Sequence, residues 1–272
     1  MNRNSIIAVA LALLFVVAVA IFNPRKPAPP APAMEEPAVP GPEPKPAPAP
    51  VVEPVPPAPS VPEPPIEQAP PLPALDDSDA EVLGALTDAL GRGAVDGFLI
   101  PDQVVRKGVV TMDNLPGEIV ATRIRAIRPT GGGFQVSVND GRFTLSPDNY
   151  ARYEAFVRMV KSIDVDQATA VYARYYPLLQ EAYEELGYPS RQFNDRVIQV
   201  IDDLLGAPEP RPPIDLVRPR ALYQFADPDL EALSAGQKVL VRMGPDNARV
   251  IKVKLREIRQ ALVDRSRTLA TG

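Results

Sequence analysis

The chain contains no cysteine, no histidine and no tryptophan. Without thiols, disulfides, thiol nucleophiles, iron–sulfur clusters and thiolate zinc sites are excluded. Without imidazole, neither a Ser–His–Asp nor a Cys–His triad can be built, and the common histidine metal sites go with them. Positive charge is also scarce: 29 Lys and Arg stand against 34 Asp and Glu, a formal net charge of -5. Nucleic-acid binding needs a basic surface that releases counterions, so this balance argues against it.

Proline, by contrast, is abundant. Most of the 35 prolines fall between Pro24 and Pro73, immediately after an unbroken apolar run from Ile6 to Phe22. As a helix that run rises about 26 Å, the short end of what a bilayer core of about 30 Å needs, and flanking polar side chains can snorkel to close the gap. Residues 6–22 are therefore expected to form a transmembrane anchor behind a short tail, residues 1–5. A cleaved signal peptide is the rival, because Ala18-Val19-Ala20 fits a small-x-small cleavage site. Against it, the apolar stretch continues through Ile21 and Phe22.

Residues 23–74 read as a disordered proline-rich linker. Each proline fixes φ and removes a donor, which leaves polyproline II at about 3.1 Å per residue and a reach of up to roughly 150 Å. Arg3 favours a cytoplasmic start, while Arg25 and Lys26 argue the opposite. A short leading tail ahead of a long stalk is expected to stay inside, with the folded part, residues 75–272, in the periplasm; a cytoplasmic domain is the alternative.

The folded part is expected to be mainly α-helical with one small β-hairpin. Ser78 and Glu81 have capping-box spacing ahead of Val82, Leu86 and Leu90, and Gly91 ends that helix. A second start appears at Pro101-Asp102, with Val104, Val105, Val109 and Met112 leading to Leu115-Pro116; a helix is expected there, and the β-branched content leaves a strand as the alternative. Phe134 to Val138 alternates, Asn139-Asp140-Gly141 supplies turn chemistry, and Arg142 to Leu145 returns. Ser146-Pro147 opens a helix to about Ile163, Asp164 one to Gly187, and Ser190 one to Gly206. Ile214 to Phe225 has room for one or two short strands. Helices over Pro228–Met243, with a possible break at Ser234, and Pro245 to about Arg267 complete the pattern.

Candidates for chemistry are sparse. All eight tyrosines lie in the folded part, and Tyr172, Tyr176 and Tyr183 share one helix stripe. Beside Arg174 they offer a platform for a sugar or peptide, although such stripes are more often core. Asn194 falls toward the apolar edge of its helix, next to Asp195, where an amide needs partners. Asp113, Glu181, Glu184, Asp195, Asp202 and Asp203 supply carboxylates for a glycan-cutting pair, but no spacing specifies one. Gly131-Gly132-Gly133 lacks phosphate-loop spacing, and Gly236-Gln237-Lys238 lacks its partner glycine. No calcium loop is present, and no cofactor or metal is expected. Arg249, Lys252, Lys254, Arg256 and Arg259 give the last helix a basic side that is either solvated or docks on an acidic protein or lipid surface.

Several strings together carry a likeness. Tyr176-Pro177-Leu178-Leu179-Gln180-Glu181-Ala182-Tyr183, Leu186-Gly187-Tyr188-Pro189 and Phe193-Asn194-Asp195-Arg196 are joined by Asp113-Asn114-Leu115 and Asn149-Tyr150-Ala151-Arg152-Tyr153. Phe225-Ala226-Asp227-Pro228, Gly236-Gln237-Lys238 and Arg242-Met243-Gly244 complete the set. Over about residues 74 to 262 the chain resembles an uncharacterised bacterial family, domain of unknown function 3014. The resemblance implies a bacterial protein with an N-terminal span and a proline-rich linker; it brings no activity, ligand or functional residue. The expectation is a non-enzymatic module at the bacterial inner membrane that binds an envelope protein, the alternative being a peptidoglycan binder or carboxylate-dependent glycan hydrolase.

Overall fold

The computed structural model describes residues 70–271. The apolar run 6–22 and nearly all of the proline tract lie outside the described residues, and among those described no helix is long and apolar enough to cross a membrane. The described chain is mainly helical with a small antiparallel sheet of four strands.

Regular structure opens with a 3-10 turn at Leu75–Asp77, then helix α1, Asp79–Leu90. The helix begins where expected, but the Ser78–Glu81 capping box does not form. Ser78 is buried and its hydroxyl donates back to Leu75 O at 2.7 Å, so the side chain serves the turn before the helix. Gly91, at φ +81, ends α1, as expected of a residue without a Cβ. Helix α2, Arg92–Phe98, was not foreseen, since Gly93 and Gly97 disfavour it. Tertiary packing overrides propensity here: Val95 is buried and the Phe98 ring sets its edge against Phe156, centroids 5.9 Å apart.

Helix α3, Val104–Asn114, starts without a local cap. The Asp79 carboxylate of α1 accepts from Gln103 N at 2.8 Å and Val104 N at 2.7 Å instead, satisfying orphan donors from across the fold. Strands β1, Val136–Asn139, and β2, Arg142–Leu145, form the expected hairpin. Asp140 at φ 49 and Gly141 at φ 78 make both loop residues left-handed, which matches the twist of a two-residue hairpin.

The helix foreseen from Ser146 to Ile163 is two: α4, Asp148–Ala151, and α5, Glu154–Lys161. It breaks at Arg152-Tyr153, where Arg152 turns to hold the preceding loop and Tyr153 is buried. Helix α6, Val165–Glu185, is capped by Asp164 accepting from Gln167 N at 2.9 Å and carries Pro177 on its exposed side. Ser190 does not cap α7, Phe193–Leu205. Its N-cap residue is Gln192, whose side chain makes no capping bond, and Gln180 of α6 accepts from Phe193 N at 2.8 Å.

Strands β3, Asp215–Val217, and β4, Gln224–Phe225, extend the hairpin to the order β1-β2-β3-β4. The stretch Ile214 to Phe225 does hold two short strands, but pieces of three and two residues show no period, and their pairing onto the hairpin as one four-stranded sheet was not expected. Helix α8, Pro228–Glu231, and α9, Ala235–Arg242, are separated at Ser234. There Ser234 and Gln237 form a full capping box. Helix α10, Pro245–Thr271, packs against α5, α6, α7 and α9. One apolar cluster fills the space among the helices. A second, with Leu145, Ile214, Leu216, Phe225, Leu230 and Val241, joins the sheet to α8 and α9.

Candidate functional site

The tyrosine stripe of α6 faces inward. Tyr172 and Tyr183 are buried and Tyr176 is half-buried. Tyr183 stacks on Tyr188 with centroids 4.8 Å apart and touches Phe193, while Tyr172 leans on Tyr176 at 5.6 Å. Burial pushes the Tyr172 phenol well above its ordinary range. Its hydroxyl donates to Asn194 Oδ1 at 3.3 Å, which supplies a partner for that half-buried amide. Asp195 is exposed beside it. Arg174 reaches the other way, to Glu81 at 3.8 Å, the same carboxylate that accepts from Tyr175 at 3.1 Å. The structure thus brings Tyr172, Tyr176 and Asn194 together, but as the seam between α6 and α7, with Arg174 on a different contact.

The carboxylates are dispersed among local partners. Asp113 pairs with Arg196 at 2.7 Å, Asp202 with Arg259 at 2.6 Å, and Asp203 accepts from the Ser234 hydroxyl at 2.7 Å. Burial raises the Asp203 pKa, with the Ser234 hydroxyl opposing. Among the described residues no three Asp or Glu side chains converge as metal ligands would. The basic side of α10 is largely committed inside the molecule. Lys252 is buried and donates to Ala207 O at 2.6 Å and Glu209 at 3.1 Å; Lys254 donates to Ile163 O at 2.9 Å. Gly236-Gln237-Lys238 is structural as well. A Cβ on Gly236 would sit 2.5 Å from Leu204, Gln237 completes the capping box, and Lys238 pairs with Glu231 at 3.4 Å.

A different constellation lies where the sheet meets α4, α5 and α9. Asn149, fully buried, donates to Arg242 O at 2.7 Å and accepts from Arg152 Nη1 at 2.7 Å and Gln135 N at 3.2 Å. Arg152 wraps the 130–132 loop, donating to Gly131 O at 3.1 Å, Gly132 O at 3.1 Å and Thr130 Oγ1 at 3.2 Å. The Arg242 guanidinium lies 5.8 Å from the Phe134 ring centre and 5.4 Å from that of Phe225, a two-ring cation–π arrangement. Burial lowers the Arg242 pKa, with Tyr153 and Glu231 opposing. Burial raises the Tyr153 phenol, and the charges of Arg152 and Arg242 pull it back. Outward from Arg242 the rings continue: Phe134 to Tyr223 at 6.1 Å, Tyr223 to Phe143 at 5.5 Å, and Arg218 over Tyr223 at 5.3 Å.

A family model described as "Protein of unknown function (DUF3014)" matches residues 104–259, more than half of the chain. The chain belongs to that family. No curated protein and no solved structure is similar enough to match. The DUF3014 span starts at α3 and takes in the sheet, the α6–α7 seam and most of α10. Every residue of the Arg242 constellation falls inside it.

Composition and spacing did not single out Arg242, Arg152, Phe134, Tyr223 or Phe225 as a group, because they come from separate stretches of chain. A signal was nevertheless present. The strings Asn149–Tyr153, Phe225–Pro228 and Arg242–Gly244 carry the family likeness, and they meet at this one place.

Proposed function

We propose that the chain is a membrane-tethered, non-enzymatic module of the bacterial envelope that binds a protein partner through the arginine and aromatic side chains beside its small sheet. One observation carries this reading. Phe134, Phe143 and Tyr223 are half-buried rather than enclosed, and two arginines lie over rings of the same cluster. Rigid rings and guanidinium groups are the side chains on which binding energy concentrates at protein interfaces. The apolar run ahead of a proline-rich tract supports a tether with reach. The dispersal of Asp113, Asp202 and Asp203 among structural partners speaks for binding over hydrolysis.

The test places a photo-crosslinking residue at Val138, an exposed apolar side chain on β1, in the full chain at native expression. The expected result is a discrete adduct with another envelope protein. Absence of any protein adduct, together with co-sedimentation on purified peptidoglycan, would overturn the reading in favour of a glycan-binding role. A C-terminal reporter active only in the periplasm or only in the cytosol settles which side of the membrane the domain occupies.

A further inference from the structure

The Arg242 guanidinium carries five N–H donors, yet it makes no hydrogen bond and no ion pair with any described residue; its contacts are the faces of Phe134 and Phe225. It is not sealed off either. Among the described residues no side-chain nitrogen is both fully enclosed and without a partner, so the unpaired donors keep a path to solvent. Nearby charge is unbalanced. Arg152 donates only to backbone carbonyls, a hydroxyl and an amide, never to an acid. Among the described residues the carboxylate that acts on Arg242, Glu231, is already taken by Lys238 at 3.4 Å and Phe225 N at 3.0 Å. A chain of net charge -5 thus holds, beside an aromatic cluster, a cation with no ion pair among the described residues.

We infer that Arg242 is the recognition point for a single carboxylate of an acidic peptide segment of the partner, and that Phe134, Tyr223 and Phe143 take the flat apolar residue beside that carboxylate. This rests on the reading of the chain as a partner-binding module. A guanidinium fork matches a carboxylate in two parallel hydrogen bonds, and the centres of two rings, Phe134 and Phe225, lie 5.8 and 5.4 Å from the guanidinium. A carboxylate is favoured over a phosphate dianion because it carries a single charge, which one guanidinium balances. Proline is a suitable neighbour for the carboxylate, since its ring packs on aromatic grooves at low entropic cost.

The test uses the full chain in detergent and a dye-labelled decapeptide of alternating glutamate and proline, followed by fluorescence anisotropy. The expected result is saturable binding that weakens about 10- to 100-fold when glutamine replaces glutamate in the peptide, the range of a lost charge-assisted bond. Arg242→Gln is expected to weaken binding by a similar factor, and Phe134→Leu by roughly tenfold. Arg220→Gln, at an exposed arginine outside the cluster, leaves it unchanged. Arg242→Lys guards against a folding artefact: it keeps the charge without the fork and is expected to lose about tenfold with an unaltered melting curve. Equal affinity for the glutamine peptide, equal binding by Arg242→Gln, or displacement by an equal concentration of inorganic phosphate would each overturn the inference. Cross-links from Val138 that persist undiminished in Arg242→Gln would overturn it too, while leaving partner binding itself intact.

Discussion

Gly244 gives the sharpest handle on the packing that builds this site. It sits between α9 and α10 at φ +87, and a Cβ built on it would lie 2.6, 2.7 and 2.8 Å from three ring atoms of Tyr150. Ordinary carbon contacts are about 3.5–4.0 Å, so the Tyr150 ring would have to retreat by about 1 Å. Gly244→Ala therefore meets two penalties. A left-handed backbone costs alanine about 1 kcal/mol, and overpacking a filled contact costs about 1–3 kcal/mol. The sum is roughly 2–4 kcal/mol, and at about 2–4 °C per kcal/mol for a domain of this size the melting temperature should fall by about 4–16 °C. Urea unfolding of Gly244→Ala, Tyr150→Ala and the double variant separates the parts. With the ring gone only the backbone penalty remains, so Gly244→Ala should cost about 1 kcal/mol on the Tyr150→Ala background, a coupling of about 1–3 kcal/mol. Additivity within about 0.5 kcal/mol would refute the claim that the Tyr150 ring is what excludes a side chain at Gly244.

Two further outcomes follow from the helix seams. Burial, with Glu81 accepting from the hydroxyl, pushes the Tyr175 phenol up to about 12 from an unfolded value near 10. The folded state keeps that proton longer, so this share of stability is whole below about pH 10 and is lost as the pH rises from about 10 to 12. About 2 kcal/mol of alkaline loss should disappear in Tyr175→Phe, measured as urea midpoints at pH 8.5 and 11.5; parallel losses in both proteins would contradict it. Asp79→Ala should cost about 1–2 kcal/mol by uncapping α3, with Asp79→Asn recovering part of that, and equal unfolding midpoints for wild type and Asp79→Ala would refute the role of that contact.

Where a structural cause was local, the sequence revealed it. Asp164 caps α6 with its own side chain, and Asp140-Gly141 makes the hairpin turn with its own φ angles. Both signals sit within a few residues of what they determine. Where the cause came from another element, it was hidden. The donors at the start of α3 are met from α1 and those of α7 from α6, so local signals place the start of α3 too early, at Pro101-Asp102, and mistake Ser190 for the cap of α7. The split of α4 from α5 has the same origin, because Arg152 serves a loop about twenty residues upstream. Strand β3 forms on β2 and β4 on β3, and neither carries a period of its own. The tyrosine stripe was visible as a stripe, but its facing depended on Phe193 and Tyr188 arriving from the next segment.

Arg242 should cost the fold something. A partly buried cation with no acid against it is desolvated without an ion pair in return, and replacing such a group by an apolar side chain of similar length is often neutral or stabilising. The contacts with Phe134 and Phe225 oppose this, at about 0.5–2 kcal/mol for cation–π attraction. Methionine would keep the packing on both rings through its flexible thioether while removing the charge. Arg242→Met is thus expected to lie within about 1 kcal/mol of wild type in urea unfolding, on either side, while losing the affinity for the acidic peptide. A stability loss above about 2–3 kcal/mol would mean that the guanidinium holds the sheet to α9 in its own right. Its lack of an acidic partner would then be a detail of packing, and Arg242 would lose its standing as a group kept for a ligand.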